Sequence, residues 1–176
     1  MKRFLFLIVL LMALYACTVR STDTIDKEVY QQVLFPLLDS LLLSNELSDE
    51  VVVLQNFYPD NLMHKAIKRK SNQGFGGNSE NELLSKLSIL ALDTLDRQII
   101  NKPQKYSNIV LEQSRIKNLS QGDFKALINL SKVAVNGKVG CFYLNLHCGR
   151  NCGGYMVFFI IFENGYWRIN NSLKID

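Results

Sequence analysis

The last third of the sequence alternates apolar segments with short turns, and this pattern limits the fold more than any other feature. Four segments rich in β-branched and aromatic residues occupy residues 130–135, 139–147, 155–162 and 166–173. Asn136-Gly137 and Asn164-Gly165 lie in the first and last connections, and Asn-Gly is the strongest short signal for a β-hairpin. We therefore predict a four-stranded antiparallel meander at the C-terminus.

The N-terminal half has helical spacing instead. Apolar residues three or four positions apart predict a first helix over 25–43, which Pro36 should kink or split. Ser79 and Glu82 form a capping-box pattern at the start of a second helix, which we expect to end near Asn101. The apolar positions of the two helices are Ile25, Val29, Val33, Leu37 and Leu41, then Leu83, Leu84, Leu87, Ala91 and Leu95.

Shorter signals complete the outline of the fold. Residues 51–54 are β-branched and apolar, which predicts a buried strand. Ser120 and Asp123 predict the start of a short helix that continues through Leu127. Because helices come first and strands last, we predict an α+β fold with the helices packed on the sheet.

Residues 1–16 have the organisation of an export signal. Lys2 and Arg3 precede an uncharged apolar run that is too short to cross a bilayer. The run ends at Ala16-Cys17, a small residue before a cysteine, which is the pattern that signal peptidase II recognises. We predict that Cys17 is lipidated and anchors the protein to a membrane of the cell envelope, with residues 17–24 as a tether and residues 25–176 as a single domain.

Two other interpretations of the N-terminus stay open. An ordinary secretory signal would be cut nearby without lipidation, or Cys17 would be buried in a core helix. The core helix is less favoured because Lys2 and Arg3 would lie at its N-terminal end, where the helix dipole disfavours cations. Thr18 follows the cysteine in place of the Asp that retains some lipoproteins in the inner membrane, and this favours the outer membrane.

The net charge argues against nucleic acid as a partner. It is +4 for the whole chain and +2 without Lys2 and Arg3, which is too small for a nucleic-acid-binding domain. One basic cluster consists of Lys65, Lys68, Arg69 and Lys70. We interpret it as a solvated loop or helix end, with a patch for lipid headgroups as the alternative.

Two cysteines enclose the loop between the second and third strands. The loop Gly149-Arg150-Asn151 would place Cys148 and Cys152 opposite each other, so we predict a disulfide in an exported protein. Cys141 would lie on the other face of its strand as a buried free thiol. Reversible thiol redox chemistry at the pair is the alternative, but the hairpin lacks the helix N-terminus that lowers a thiol pKa.

No catalytic, metal or cofactor site follows from the remaining residues. A zinc site at His147, Cys148 and Cys152 is disfavoured because adjacent strand residues point to opposite faces. No Gly-x-Ser-x-Gly pattern for a serine hydrolase occurs. We therefore expect no cofactor.

The turns also predict which strand residues share a face. One face should be apolar and lie under the helix of residues 80–100. Its predicted cross-strand pairs are Phe142–Phe158, Leu144–Met156, Ile160–Ile169 and Phe162–Trp167, joined by Leu146 and Leu173.

The opposite face mixes aromatic and polar residues. Such a mixture is typical of ligand pockets and partner surfaces. The candidate binding residues on it are Tyr143, His147, Tyr155 and Arg168. Under the alternative interpretation, which we favour, the remaining helix covers this face and Arg168 reaches past its edge.

A set of C-terminal motifs extends the interpretation. The motifs are Leu130-Ser131-Lys132-Val133, Asn136-Gly137, Cys148-Gly149, Cys152-Gly153, Gly154-Tyr155 and Asn164-Gly165-Tyr166-Trp167-Arg168-Ile169. They resemble a group of small envelope proteins found mainly in Bacteroidota, mostly without an assigned function. The helix-then-sheet layout is also similar to the nuclear-transport-factor-2-like fold, a curved sheet that often holds a pocket. The resemblance implies an envelope protein and transfers no catalytic residue.

Two classes of function remain from the sequence. The favoured class is a non-catalytic, lipid-anchored module that binds an envelope protein or a small ligand. The alternative is a thiol-disulfide redox protein that uses Cys148 and Cys152.

Overall fold

The computed structural model describes residues 22–43, 52–54, 61–74, 76–92, 109–110, 126–147 and 153–175. Its helices are α1 (Thr22–Val29), a π-helical turn (Tyr30–Leu34), α2 (Phe35–Leu43), α3 (Asn61–Asn72) and α4 (Asn78–Leu90). Its strands are β1 (Val52–Leu54), β2 (Ile109–Val110), β3 (Ala126–Leu130), β4 (Ala134–Asn136), β5 (Val139–His147), β6 (Gly153–Glu163) and β7 (Tyr166–Ile175). The predicted α+β class is confirmed.

The strands form one open mixed sheet in the order β2-β1-β3-β5-β6-β7, with β4 also paired to β5. The predicted four-stranded meander is confirmed, because β4, β5, β6 and β7 pair in this order and each pair is antiparallel. The sheet extends beyond the meander, because β3 also pairs with β5 and β1 runs parallel to both β2 and β3. The short helix predicted through Leu127 was wrong at its end, since Ala126–Leu130 is a strand held by β1 on one side and β5 on the other.

The first helix begins at Thr22 and changes geometry ahead of Pro36. The Phe35 N–H donates to the Tyr30 carbonyl, a bond over five residues that defines a π-helical turn. Pro36 cannot donate to the preceding turn, so the widened turn lets the chain continue without that bond. The predicted split is confirmed, and Thr22 to Thr24 belong to the helix although they were assigned to the tether.

Helix α4 starts and ends earlier than predicted. The Glu80 carboxylate, not that of Glu82, accepts a hydrogen bond from a backbone N–H before the helix, that of Gly77 at 3.1 Å. Gly76 has a φ of +77°, a conformation that glycine adopts without strain, and a Cβ there would displace the Glu80 carboxylate from its capping position. The helix ends at Leu90, where the Leu92 N–H closes a tighter turn on the Ile89 carbonyl.

The helices cover the two faces of the sheet as separate layers. The first face carries Phe142, Leu144, Phe158, Ile160 and Trp167, and it packs under α1, the π-helical turn and α2. The second face carries Cys141, Tyr143, Val157, Phe159 and Leu173, and it packs under α3 and α4. The prediction that the helix of residues 80–100 covers the first face was therefore wrong, because strand register does not specify which helix covers a face.

Every predicted cross-strand pair of the first face is confirmed. Leu173, however, lies on the second face, opposite Val157. The cause is a bulge in β7, where Ile169 pairs with Ile160 but Asn171 pairs with Phe159. The extra residue, Asn170, reverses the facing of every later side chain in the strand.

Cys141 is a buried free cysteine, as predicted. Burial raises the pKa of its thiol well above the ordinary value of 9.0, which keeps it protonated and unreactive. Cys148 and Cys152 lie outside the described residues. The described pairing of β5 with β6 ends at His147 and Gly153, the residues next to these cysteines. The disulfide stays a prediction.

A polar connection explains why the predicted strand 130–135 is divided into β3 and β4. The Ser131 hydroxyl accepts from the Tyr143 N–H at 2.9 Å, and the Ser131 carbonyl accepts from the Tyr30 hydroxyl. Asp26, also buried, accepts from the Val133 N–H at 2.7 Å. Residues 131–133 therefore satisfy backbone groups through α1, the π-helical turn and their own side chains instead of a continuous ladder.

Tyr30 gives this connection a predicted pH dependence. Burial, and then the charge of Asp26 and the neighbouring Tyr143, raise the pKa of Tyr30 well above its ordinary value of 10.0. The folded state holds a proton that the unfolded chain releases near that ordinary value. The contribution to the free energy of unfolding is therefore complete below pH 10 and is lost as the pH rises further.

We expect Tyr30→Phe to lower the free energy of unfolding by about 1–3 kcal/mol at neutral pH, because the Ser131 carbonyl loses its donor. The same variant should lose stability less steeply than the wild type under alkaline conditions. Urea unfolding of both proteins at neutral and alkaline pH measures the difference. Equal alkaline slopes would show that Tyr30 does not carry the effect.

Candidate functional site

Of the four residues predicted to form a binding surface, the three whose side chains are described do not share an open patch. Tyr143 is 2% exposed and belongs to the core of the second face. Tyr155 is half-buried at the margin of that core, and Arg168 is exposed and paired with Glu163. The backbone of His147 pairs with Gly153, and its side chain is outside the description. The second face is thus covered at Tyr143, and Arg168 lies beyond the covered part, but α3 and α4 cover it instead of the remaining helix of the prediction.

An open groove lies elsewhere, along β4. Of the described strands, only β5 pairs with β4. Val133, Ala134 and Val135 form the floor of a cavity of about 320 Å³. Ile25 of α1 forms one wall, and Lys86, Ile89 and Leu90 of α4 form the other. The groove is thus the gap between the two helical layers at the β4 edge of the sheet.

The floor of the groove offers backbone groups as well as apolar side chains. The Val133 N–H donates to Asp26 of α1, so it points away from β5. In an antiparallel strand the residues whose backbone groups point outward alternate with those paired to the neighbour. Val135, two residues after Val133, therefore directs its N–H and C=O to the groove. An extended chain is the kind of ligand that could accept and donate there.

The rim of the groove is polar and the wall beside it is apolar. Lys86 pairs with Glu82 at 3.0 Å, and the other oxygen of Glu82 accepts from the Asn136 amide at 3.1 Å. Glu82 thereby links α4 to the end of β4. Ile89 is 65% exposed, so this large apolar side chain would lose contact with water when the groove is filled.

Comparison with known proteins gives the chain no relative. No protein-family model, no curated protein and no solved structure matches it. The likeness to the Bacteroidota envelope proteins and to the nuclear-transport-factor-2-like fold therefore stays a prediction. The class of protein is an α+β domain with an open edge groove.

Two further properties of the described residues bear on the site. None of the described helices is long and apolar enough to cross a membrane. Within the same part of the chain, no group of three His, Cys, Asp or Glu residues is placed to hold a metal ion.

Sequence reasoning missed the groove because the groove depends on how the start of α1 and the end of α4 lie beside β4. One local signal was present. Ile89 is apolar but falls outside the buried apolar positions of α4, which are Leu83, Leu84 and Leu87. An apolar residue away from the buried stripe of a helix is a candidate contact for something other than the core.

Proposed function

We propose that this protein is a lipid-anchored envelope protein with a non-catalytic binding role, and that its groove takes an extended apolar segment of a partner protein. The observation that supports this is the combination of an edge strand with two apolar walls. The backbone groups of Val135 suit pairing with an added strand, and Ile25 and Ile89 stand on either side of it. Strand addition to a sheet edge is a common mode of peptide recognition.

The geometry also suggests what the bound segment looks like. Side chains of an added strand alternate between the two faces of the sheet. One set would contact Ile25 and Val135, and the other would contact Ile89 and Leu90. Because β4 has only three residues, the contact is short, and we expect weak and reversible binding of the kind seen for small interfaces.

The residues that line the groove favour binding over catalysis. Lys86 is the only charged residue among them, and its partner Glu82 is on the exposed side of the helix. General acid-base catalysis and nucleophilic catalysis both need a nucleophile or a titratable pair directed at the ligand. The seven lining residues contain no such pair.

The anchor half of the proposal rests on the sequence of the N-terminus. A basic start, an uncharged apolar run and Ala16-Cys17 support lipidation of Cys17, and Thr18 supports an outer-membrane address. Radiolabelled fatty acid should enter the wild-type protein and not the Cys17→Ala variant. Equal labelling of the wild type and the variant would show that Cys17 is not the lipidated residue.

A displayed library of random peptides tests the groove. Peptides selected on the wild-type protein should be rich in alternating apolar residues. Their affinity should fall by about tenfold or more for Ile89→Asp, because the groove would then bury a carboxylate. The matched control is Tyr166→Asp, since Tyr166 is 67% exposed and does not line the groove.

The two variants separate the possible outcomes. Loss of binding with Ile89→Asp alone supports the groove. Equal affinity of wild type and Ile89→Asp would place the peptide elsewhere, and failure to select any peptide would overturn strand addition as the mode of binding.

A further inference from the structure

We infer that the exposed face of α3 rests on an anionic lipid surface. The inference rests on the anchor proposed above, and it assigns a membrane-facing side to the domain. Met63 and Ile67 of α3 are buried against the second face of the sheet. The opposite side of the helix carries the exposed Lys65, Lys68 and Arg69.

The charge on this helix is of one sign. Residues 61–72 contain no Asp or Glu. Among the described residues, none has a carboxylate in ion-pair contact with Lys65, Lys68 or Arg69. Elsewhere in the described part of the domain, Lys86 and Arg168 do have such partners. Within the described part of the domain, the charge of these cations is therefore not neutralised, and an external anion would be attracted to it.

An exposed apolar residue accompanies the cations. Leu62 is 71% exposed, and it lies three residues before Lys65 and seven before Arg69, which places the three on one side of the helix. A helix that combines cations with an exposed leucine on its solvent side suits the interface of a bilayer, where lipid phosphates and acyl chains meet.

The position of the tether brings the same helix near the bilayer. Ile25 of α1 and Leu90 of α4 line one groove, so the start of the domain lies beside the end of α4. His64 in the first turn of α3 contacts the Ser88 carbonyl near that end, at 2.6 Å. Cys17 and Thr22 are five residues apart, which spans at most about 18 Å. A lipid on Cys17 would thus hold the first turn of α3 close to the headgroups.

The chemistry of the partner follows from these contacts. Lysine and arginine side chains near an anionic bilayer bind lipid phosphates, and the attraction is screened by salt. An anionic phospholipid such as phosphatidylglycerol has the required charge. The leucine adds an apolar contact that salt does not screen.

Vesicle sedimentation of the mature chain tests the inference. The protein should carry Cys17→Ala, so that an attached lipid cannot contribute to binding. We expect sedimentation with vesicles of phosphatidylethanolamine and phosphatidylglycerol, little with phosphatidylcholine alone, and release at high salt. Lys65→Gln together with Lys68→Gln should weaken the partition coefficient by about thirtyfold.

The matched control is Lys138→Gln together with Lys174→Gln. Both lysines are exposed and lie outside α3, so this variant loses the same charge from other surfaces. An unchanged control with a weakened α3 variant supports the inference. Equal weakening of both variants, or no binding of the parent protein to the anionic vesicles, overturns it.

Fatty-acid labelling tests the lipidation of Cys17 separately from the binding of α3 to lipid. Vesicle binding that depends on Lys65 and Lys68 supports the lipid-facing side even if Cys17 takes up no label, and the anchor alone is then wrong. Labelled Cys17 without vesicle binding overturns the lipid-facing side and leaves the anchor in place.

Discussion

Replacement of Phe142 by alanine should lower the free energy of unfolding by about 3–5 kcal/mol. Phe142 is completely buried on the first face. Its ring stacks on Phe158 with centroids 5.5 Å apart and meets the edge of Tyr30 at 6.4 Å. Phe142 therefore joins β5 and β6 to the helices that cover the first face. Its removal leaves a cavity between the sheet and those helices.

Urea unfolding followed by circular dichroism measures this effect. Tyr166→Ala is the control, because Tyr166 is 67% exposed and its loss should change stability by no more than about 0.5 kcal/mol. A change of similar size in both variants would mean that the helical layer over the first face does not pack on Phe142.

Local sequence features were enough to predict the arrangement of β5, β6 and β7. Their register follows from short turns and from side chains that alternate between faces, and both signals lie within a few residues of each other. Asn164 and Gly165 both have positive φ, at 53° and 86°, as the hairpin turn predicted by Asn-Gly requires. The face on which each side chain lies was therefore predicted correctly for β5, for β6 and for β7 up to the bulge.

Non-local features were not predictable in the same way. The parallel pairing of β1 with β2 and β3 joins segments more than fifty residues apart, and nothing in a short window of sequence specifies such a partner. The bulge at Asn170 has no glycine beside it that would have predicted it from the sequence. The division between β3 and β4 depends on Asp26 and Tyr30, which reach Val133 and Ser131 from another part of the chain.

The position of the groove follows from the same long-range contacts. Asp26 holds α1 at Val133, and Glu82 holds α4 at Asn136, so the two helices meet the sheet on either side of β4. Their separation leaves the floor of the groove open between them. The candidate site is thus set by two polar side chains that sequence periodicity does not distinguish from surface residues.

The stability of a Tyr143 variant shows whether this residue belongs to the core or to a binding surface. Tyr143→Ala should lower the free energy of unfolding by about 3–5 kcal/mol, because the side chain is 2% exposed and packs within the core of the second face. Arg168→Ala should cost no more than about 1 kcal/mol, since the ion pair of Arg168 with Glu163 is solvated. Thermal and urea unfolding of the two variants measure both values.

The comparison decides how the second face is used. A large loss for Tyr143→Ala and a small loss for Arg168→Ala mean that α3 and α4 cover the face as core, which leaves the groove along β4 as the proposed binding site. A small loss for both would mean that Tyr143 is accessible, because truncation of a solvated aromatic residue leaves no cavity. The candidate site would then move from the edge of the sheet to its second face.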